Sequence, residues 1–361
     1  MSSNTGTNIR FEPVRMRLKE WFASCHRNLP WRETRDPYSI WVSEVMLQQT
    51  QVNTVIPYYR RFTERFSTVL LLADADFQEA LKLWEGLGYY SRIRNFHKAA
   101  GRVRDLFGGV VPQDWMSFRA LPGVGDYIAA AVLSIASGQP YAVVDGNVKR
   151  VLARLLLMNM PTNHPTSHKV YLEPALQLLD TGDPGLHNQA LMELGAMVCK
   201  PAAPLCETCP VQTDCMAFRL RQTVNYPHRL KKPDTPLYAV AVGVVYRDDR
   251  VLITQRKPDG LLGGLWEFPG GKIREMESAE DACIREIREE TGISVCVQSH
   301  LTQVRHAYTH FKIVMDVFIC RYLEGSVRLN GPCDYRWAAM DELERYPFPG
   351  ANRKFMKLLK L

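Results

Sequence analysis

The sequence predicts a multidomain fold in which an all-α domain precedes an α+β domain. A length of 361 residues exceeds one typical core and suggests about two domains. Apolar residues recur at helical spacing through residue 221, whereas the alternation typical of strands begins at residue 237. The stretch between them is rich in proline and basic residues and has no periodicity. We therefore expect domains at 9–221 and 237–361, joined by a linker at 222–236.

Composition indicates a globular intracellular protein. Hydrophobic residues make up 46% of the chain and charged residues 23%, so both domains can bury a core. No apolar run approaches the roughly 18 residues of a membrane span, and the polar lead Met1–Asn8, which we expect to be disordered, lacks the apolar core of a secretion signal. Five of the nine cysteines are scattered, as suits a reducing compartment. We expect a cytoplasmic protein whose net charge of +7 permits a polyanionic partner.

The first helices surround an acidic residue in an apolar segment. Helical spacing predicts a helix over Val14–Cys25, and Asp36 is a plausible cap for the next one. The following segment, Ile40–Thr50, is apolar nearly all round, which is typical of a buried helix, and Glu44 lies in its middle. A buried Glu44 has its charged form disfavoured and can serve as a general acid. The alternative is a glutamate at the helix edge that points to water.

A glycine turn and a following carboxylate suggest contact with a phosphate backbone. The turn Leu121–Tyr127 contains Gly123 and Gly125, where the absence of a side chain lets backbone N–H groups point outward to an anion. Alone, this turn is better interpreted as a plain connection between helices, because glycine-rich turns are mostly structural. Asp145 favours the phosphate-binding interpretation. It follows the apolar run Tyr141–Val144 and precedes basic residues, which would place it beside a bound nucleic acid.

Two tyrosines follow a second pair of glycines. Gly86 and Gly88 interrupt an apolar helix just before Tyr89 and Tyr90. Aromatic side chains at a loop tip can wedge into base stacks. From these residues alone, packing against the protein is the better interpretation.

Four cysteines near the end of the helical region predict a metal centre. Their spacing is C-x6-C-x2-C-x5-C, and the residues are Cys199, Cys206, Cys209 and Cys215. Four thiolates suit an iron–sulfur cluster or structural zinc. We favour a [4Fe-4S] cluster with a structural role, because zinc sites more often use two Cys-x2-Cys pairs.

The second domain carries an acidic helix signature. Leu237–Tyr246 and Val251–Gln255 alternate as paired strands. The pattern Gly271-x5-Glu277-x7-Arg285 and the residues after it match a complete Nudix signature. Its helix would present three carboxylates on one face as an oxygen cage for a divalent metal, namely Glu286, Glu289 and Glu290. The alternative is a solvated acidic face.

The combination of motifs resembles the endonuclease III superfamily of base-excision DNA glycosylases and, within it, the adenine DNA glycosylases. The resemblance rests on the helix-hairpin-helix with Asp145, the cysteine spacing and four sequence words: Leu29–Arg32, Trp41–Thr50, Trp84–Arg92 and Val144–Val148. It implies removal of adenine mispaired with 8-oxoguanine or guanine, by flipping the adenine out of the duplex. The partner would be double-stranded DNA, bound by a monomer.

The resemblance also implies catalytic roles. Glu44 would protonate the departing adenine, and Asp145 would stabilise the sugar cation with Asn147 beside it. Glycoside hydrolysis likewise uses two carboxyl groups, one protonated and one ionised. Tyr127 stands where strand-cutting relatives carry a lysine nucleophile, which implies a monofunctional glycosylase.

Further residues would bind the substrate. Those of the adenine pocket are Trp31, Arg32 and Leu47, and those of the turn that holds the backbone are Gly123, Val124 and Gly125. Gln49 and Tyr89 match residues that insert beside the lesion, which favours the wedge interpretation of Tyr89. In such proteins the Nudix-like domain recognises 8-oxoguanine, here through the loop Tyr308, Thr309 and His310.

Other functions stay open at this stage. The Nudix box is intact, unlike that of most adenine glycosylases, so a nucleotide pyrophosphohydrolase tethered to a DNA-binding helical domain is the main alternative. A non-catalytic damage-binding protein would not need both Glu44 and Asp145. A glycosylase/lyase for oxidised pyrimidines is disfavoured by Tyr127 and by the second domain.

Overall fold

The computed structural model describes residues 10–231 and 233–360, which form two compact units. The first unit comprises residues 10–73 and 98–231, and the second comprises residues 74–97 and 233–360. None of the helices in the described ranges is long and apolar enough to cross a membrane. The lead Met1–Asn8, for which disorder is expected, lies outside the described residues.

The helical region contains no strand between residues 10 and 231, as the sequence predicts. Its helices are α1 (Phe11–Cys25), α2 (Pro37–Leu47), α3 (Val52–Arg65), α4 (Val69–Asp74), α5 (Phe77–Trp84), α6 (Ser91–Phe107), α7 (Trp115–Arg119), α8 (Asp126–Ser137), α9 (Gly146–Leu156), α10 (Ser167–Leu178), α11 (Pro184–Met197) and α12 (Met216–Arg219). Apolar residues from α1, α8, α9, α10 and α11 form a common core of the first unit.

Helix α2 is short because its ends are set locally. The Asp36 side chain accepts a hydrogen bond of 2.8 Å from the Ser39 N–H and caps the N-terminus. The helix stops at Leu47, three residues before the end of the predicted segment, and Gln49 adopts a left-handed φ of 60°. Its apolar surface is buried on every side, and Glu44 is buried with it. The edge alternative for Glu44 is therefore wrong.

The predicted glycine turn joins α7 to α8. Gly123 has a φ of 78°, a conformation that glycine adopts without strain, and Gly125 is the N-cap residue of α8. Asp145 caps α9, so its carboxylate lies at the start of that helix. The hairpin and the N-terminus of α9 thereby place Tyr127 and Asp145 on neighbouring elements.

The second unit is built on a seven-stranded sheet. Its strands are β1 (Leu237–Arg247), β2 (Arg250–Gln255), β3 (Trp266–Glu267), β4 (Gly270–Lys272), β5 (Ser294–Ala307), β6 (Lys312–Glu324) and β7 (Asp334–Ala339), and its helices include α13 (Ala279–Thr291) and α14 (Gly350–Met356). The sheet order is β3-β2-β1-β6-β5, with β4 paired to β1 and β7 to β2. Strands β1 and β6 are parallel and the other pairs antiparallel.

Both faces of the sheet are covered. On one face, Val242 and Val244 of β1 pack in the cluster that contains Phe355 of α14. On the other face, Val245 packs in the cluster that contains Ile287 of α13. A central strand buried on both faces explains why β1 is nearly continuously apolar.

The predicted boundaries differ from the observed units in one place. Residues 74–97 precede the linker in sequence, yet they pack with the second unit. Hydrogen bonds join α5 to residues 233–360, the other part of the second unit. The Gln78 amide nitrogen donates to the Gly264 carbonyl at 3.1 Å, and the Lys82 ammonium donates to the Tyr346 carbonyl at 2.9 Å.

Candidate active site

A cavity of about 150 Å³ opens among the helices of the first unit. Helices α2, α8 and α11, the start of α9 and a short 3₁₀ turn at Pro30–Arg32 form its walls. Its polar lining includes Arg27, Arg32, Glu44, Tyr127, Asp145, Asn147, Gln189 and Glu193, and its apolar lining includes Leu29, Trp31, Ile40, Leu47, Ile135 and Met192. This mixture of flat apolar walls and a few convergent polar groups is typical of a small-molecule site.

Glu44 is the buried carboxyl of this cavity. The Tyr127 hydroxyl donates a hydrogen bond of 2.5 Å to Glu44 Oε2. The pKa of Glu44 is raised to about 7, chiefly by burial; the Tyr127 hydrogen bond and the Arg32 charge oppose this rise, and the nearby Asp145 charge adds to it. A carboxyl with such a pKa is partly protonated at neutral pH, as a general acid requires.

Asp145 has a different set of partners. Its Oδ1 accepts from the Val148 N–H at 2.7 Å, and its Oδ2 accepts from the Asn147 side-chain amide at 3.0 Å. Burial raises the pKa of Asp145, and these two donors and the Arg150 charge oppose that rise. Burial therefore raises the pKa of both carboxyls, and at Asp145 the two N–H donors oppose this rise because they favour the ionised form.

Asn147 is itself held in place. The Arg150 guanidinium donates to the Asn147 side-chain oxygen at 2.7 Å, to the Cys199 carbonyl at 2.7 Å and to the Gly195 carbonyl at 2.7 Å. Helix α11 approaches α9 closely at this point: a Cβ added to Gly195 would lie only 2.6 Å from the Asn147 Cβ. Asp145 is thus oriented through Asn147 by contacts with α11 and with the first cysteine of the cysteine-rich loop.

An ion-pair cluster also lines the cavity. Glu193 has only 1% of its side chain exposed and lies 2.6 Å from Arg27 and 3.0 Å from Arg32. Although burial opposes ionisation, hydrogen bonds from Arg27 and then from Arg32 hold the pKa of Glu193 at about 2. The cavity therefore presents both charge-assisted N–H donors and a carboxylate acceptor to any bound ring.

This arrangement can cleave a bond between a sugar and a base. A buried acid can protonate the leaving group, and an ionised carboxylate can stabilise a cationic sugar. The geometry of the cavity alone does not identify the base.

Two family models match the chain. Residues 42–173 match the HhH-GPD superfamily of base excision DNA repair proteins, and residues 240–358 match the NUDIX domain. The adenine DNA glycosylase of Mus musculus is 34% identical over 95% of this chain and 77% of its own length. That of Homo sapiens is 33% identical over 94% and 73%.

This chain belongs to the adenine DNA glycosylase family. It is a DNA glycosylase of the base-excision repair pathway and acts on adenine in DNA. Its first part has the fold of known glycosylases. A thermostable thymine-DNA glycosylase is 29% identical with a TM-score of 0.54, over 58% of this chain and 97% of that one. An endonuclease III–DNA covalent intermediate, 24% identical over 59% and 98% with a TM-score of 0.50, shows the same fold.

The structure brings seven of the predicted site residues to the cavity. These are Trp31, Arg32, Glu44, Leu47, Tyr127, Asp145 and Asn147. The residues predicted to contact the DNA lie elsewhere, in four loops. Gln49 follows α2, the turn Gly123, Val124 and Gly125 precedes α8, and Tyr89, Tyr308, Thr309 and His310 belong to the second unit.

Sequence reasoning missed Glu193 and Arg27. The signal for Glu193 was available, because it is the one acidic residue of the apolar helix α11 (Pro184–Met197), just as Glu44 is the one acidic residue of α2. Arg27 carried no signal. It lies in the irregular segment after α1 and reaches Glu193 across 166 positions of sequence.

The four cysteines of the predicted metal centre line one small apolar cavity. Val198, Pro204, Leu205 and Phe218 complete its walls, and the Arg154 guanidinium donates to Cys199 Sγ at 3.3 Å. Within residues 10–231 and 233–360, no three His, Cys, Asp or Glu side chains are arranged to hold a single metal ion. Four thiols around one cavity are a donor set that suits either an iron–sulfur cluster or a structural zinc ion.

The carboxylates of the Nudix box lie on α13 and are largely paired with arginines. Arg285 contacts Glu286 at 2.7 Å and Glu289 at 3.2 Å, and it also binds Glu277. Burial and neighbouring carboxylates raise the pKa of Glu290 to about 8. The divalent metal at Glu286, Glu289 and Glu290 stays a prediction.

Proposed function

We propose that this protein is a monofunctional glycosylase that removes adenine paired with 8-oxoguanine or guanine. The single observation that carries the chemistry is the buried Glu44 carboxyl, hydrogen-bonded to Tyr127, in the same cavity as Asp145. The family supplies adenine as the base. The 8-oxoguanine partner follows from the resemblance of the second domain.

Adenine flipped out of the duplex enters the cavity between Trp31 and the apolar side chains around it. The free edge of adenine has a ring-nitrogen acceptor and an amino donor. Glu44 donates its proton to a ring nitrogen, so the electron pair of the glycosidic bond leaves with a neutral base. The carboxylate of Glu193 is a suitable acceptor for the amino group, and Arg27 and Arg32 keep that carboxylate ionised.

The sugar left behind is a cation. Asp145, with its two N–H donors, stabilises this charge until water adds to the sugar and gives its proton to the Glu44 carboxylate, which restores the acid. Tyr127 is occupied as the hydrogen-bond donor to Glu44, and no lysine stands at that position to attack the sugar. The product is therefore an abasic site in an uncut strand.

The remaining predicted residues would hold the duplex. The turn Gly123, Val124 and Gly125 offers backbone N–H groups to a phosphate at the start of α8. Gln49 and Tyr89 would insert beside the lesion, and the loop Tyr308, Thr309 and His310 would contact 8-oxoguanine. Both Gln49 and Tyr89 have left-handed backbones, with φ of 60° and 48°, which is a strained conformation common at functional loops.

The four-cysteine loop would hold a [4Fe-4S] cluster through Cys199, Cys206, Cys209 and Cys215. When bound, the cluster would supply structural cross-linking of the loop. The Arg154 guanidinium, which donates to Cys199 Sγ, also donates to the carbonyls of Lys200 and Pro201 at 2.7 and 2.9 Å. Iron and sulfide analysis of purified protein tests this assignment. We expect Cys206→Ser to lose iron and the matched variant of the exposed Cys25, Cys25→Ser, to retain it.

The proposed chemistry is tested by Glu44→Gln. This variant keeps the shape of the side chain and cannot supply the proton, so it should bind duplex with adenine opposite 8-oxoguanine and release no adenine. The matched control is Glu12→Gln, on the exposed face of α1. Normal adenine release by Glu44→Gln would contradict the assignment of the acid.

A further inference from the structure

A second cavity, of about 180 Å³, lies beside the active cavity in the first unit. Its walls come from the end of α1, the segment after the Pro30–Arg32 turn, the end of α8 and the start of α11. The residues that line this second cavity and not the active one include Phe22, His26, Thr34, Arg35, Ser134 and Leu186. The cavity has no role in the chemistry of Glu44 and Asp145.

The two cavities share one wall. Arg32, Ile135 and Gln189 line both of them. A side chain that lines two cavities at once separates them, so a movement of this wall can join the two spaces.

The cavities follow one another along two helices. In α8, Tyr127 of the first turn lines the active cavity, and Ser134 near the other end lines the second one. In α11 the order is reversed, since Leu186 lines the second cavity and Glu193 the active one. Helix α8 spans 12 residues, which is roughly 18 Å at a rise of about 1.5 Å per residue. The second cavity therefore lies toward the end of α8 that is remote from the turn 123–125, which would hold the duplex.

The shared wall has one fixed and one movable polar side chain. The Arg32 guanidinium donates to the Arg27 carbonyl at 2.9 Å and pairs with Glu193 at 3.0 Å. The Gln189 amide donates a hydrogen bond of 3.3 Å to the Gly185 carbonyl of its own helix, which is long for an N–H donor. Rotation of the Gln189 side chain thus sacrifices at most one weak hydrogen bond and opens the wall.

The lining of the second cavity suits a flat heterocycle. The rings of Phe22 and His26 are stacked with centroids 4.9 Å apart and provide an aromatic wall. Arg35 and Thr34 add a guanidinium and a hydroxyl, and adenine presents a ring-nitrogen acceptor and an amino donor to such groups. At about 180 Å³ against about 150 Å³, the second cavity is large enough for any base that the active cavity holds.

A base that is cut free in the active cavity meets an obstacle on the side from which it came. Adenine enters as part of a flipped nucleotide, so the sugar and its phosphates occupy the entrance for as long as the duplex stays bound. A passage on the remote side would let the base leave first.

We propose that the second cavity is an exit site for the free base, a neutral purine. After cleavage, adenine passes Gln189, binds against Phe22 and His26, and leaves on the side of α8 that is remote from the duplex. This inference rests on the proposed function, because it requires adenine to be cut free in the active cavity.

The test follows the base and the duplex separately. A duplex with radiolabelled adenine opposite 8-oxoguanine is fixed to beads and mixed with an excess of iron-loaded protein. Alkali-labile sites in quenched samples measure cleavage, and label in the solution measures release of the base. For the wild type we expect label in solution while the protein is still bound to the beads. Label that appears only as the protein dissociates would overturn the proposal.

Filling the second cavity should slow release and leave cleavage unchanged. Thr34→Trp places an indole in the second cavity, and Thr34 does not line the active one. We expect cleavage at the wild-type rate and release slowed at least about tenfold. The matched control is Thr63→Trp on α3, since Thr63 is also a half-buried threonine and lines neither cavity. Equally fast release by both variants would overturn the proposal, and so would slower cleavage followed by prompt release, the result expected of a passage for water alone.

A block introduced after folding removes misfolding from the comparison. Thr34→Cys is made in a background that lacks the two exposed cysteines, through Cys25→Ser and Cys333→Ser, and the folded protein is treated with N-ethylmaleimide. Treatment should slow release from this variant and not from the same background with Thr34 intact, at equal iron content. Equal release rates would contradict the proposal. If the wild-type protein, folded and loaded with iron, cleaves no adenine opposite 8-oxoguanine, the proposed function itself fails, which is distinct from normal cleavage with unchanged release.

Discussion

Replacing Glu193 by Gln should destabilise the first unit by a predictable amount. Glu193 is buried between two guanidinium groups, and its pKa falls from an ordinary 4.5 to about 2. A pKa difference of one unit corresponds to about 1.4 kcal/mol, so the ionised form contributes on the order of 3 kcal/mol to the free energy of unfolding at pH 7. Gln keeps the volume and leaves Arg27 and Arg32 without their counter-charge, which is the costly way to break a buried pair.

The sign of the pH dependence follows from the lowered pKa. The contribution is fully present above about pH 4.5, where the unfolded carboxyl is ionised, and it is lost as the pH falls toward 2. The difference in unfolding free energy between wild type and Glu193→Gln should therefore be largest near neutral pH and shrink on acidification below pH 4.5.

Urea unfolding followed by tryptophan fluorescence measures this difference. The control is Glu12→Gln, because Glu12 is 69% exposed in its surface pair with Arg15 and such pairs contribute at most about 1 kcal/mol. A loss below about 1 kcal/mol at pH 7 for Glu193→Gln, or a difference that grows on acidification, would refute the reasoning.

Three further predictions concern catalysis. The single-turnover rate should fall as the pH rises through about 7, where Glu44 loses its proton; a flat profile from pH 6 to 9 would contradict this. Tyr127→Phe removes the hydrogen bond that lowers the pKa of Glu44, so the pH–rate profile should shift upward by roughly one unit, and a downward shift would contradict it. Gly195→Ala places a Cβ 2.6 Å from Asn147 and should slow adenine release at least about tenfold, a loss of about 1.4 kcal/mol of transition-state stabilisation. Gly101→Ala, where a Cβ meets nothing within 4 Å, is its control, and equal rates in the two variants would contradict the prediction.

The sequence predicts the fold wherever periodicity or a local signal sets it. Helices α1 and α2 and strands β1 and β2 occur where their patterns place them, within a few residues. Local signals also predict the Asp36 cap and the turn before α8. These features depend on neighbours in sequence, which is why they are predictable.

Features that depend on distant residues escape prediction. The helical segment 74–97 packs with the sheet unit because Gln78 and Lys82 find backbone carbonyls near residues 264 and 346. No local pattern encodes that choice. The same holds for the bond between Arg27 and Glu193 and for the contact between Tyr89 and Thr309. The sequence therefore predicts two carboxyl residues that line the cavity, Glu44 and Asp145, and much less of the groups that contact them.

Single-turnover release of adenine from a duplex with adenine opposite 8-oxoguanine tests the central claim most directly. Protein with a full complement of iron is mixed in excess with the duplex, and strand breaks are measured with and without alkali. The account predicts rapid formation of abasic sites that become strand breaks only after alkali. Absence of adenine release, or strand breaks that form without alkali, would contradict it.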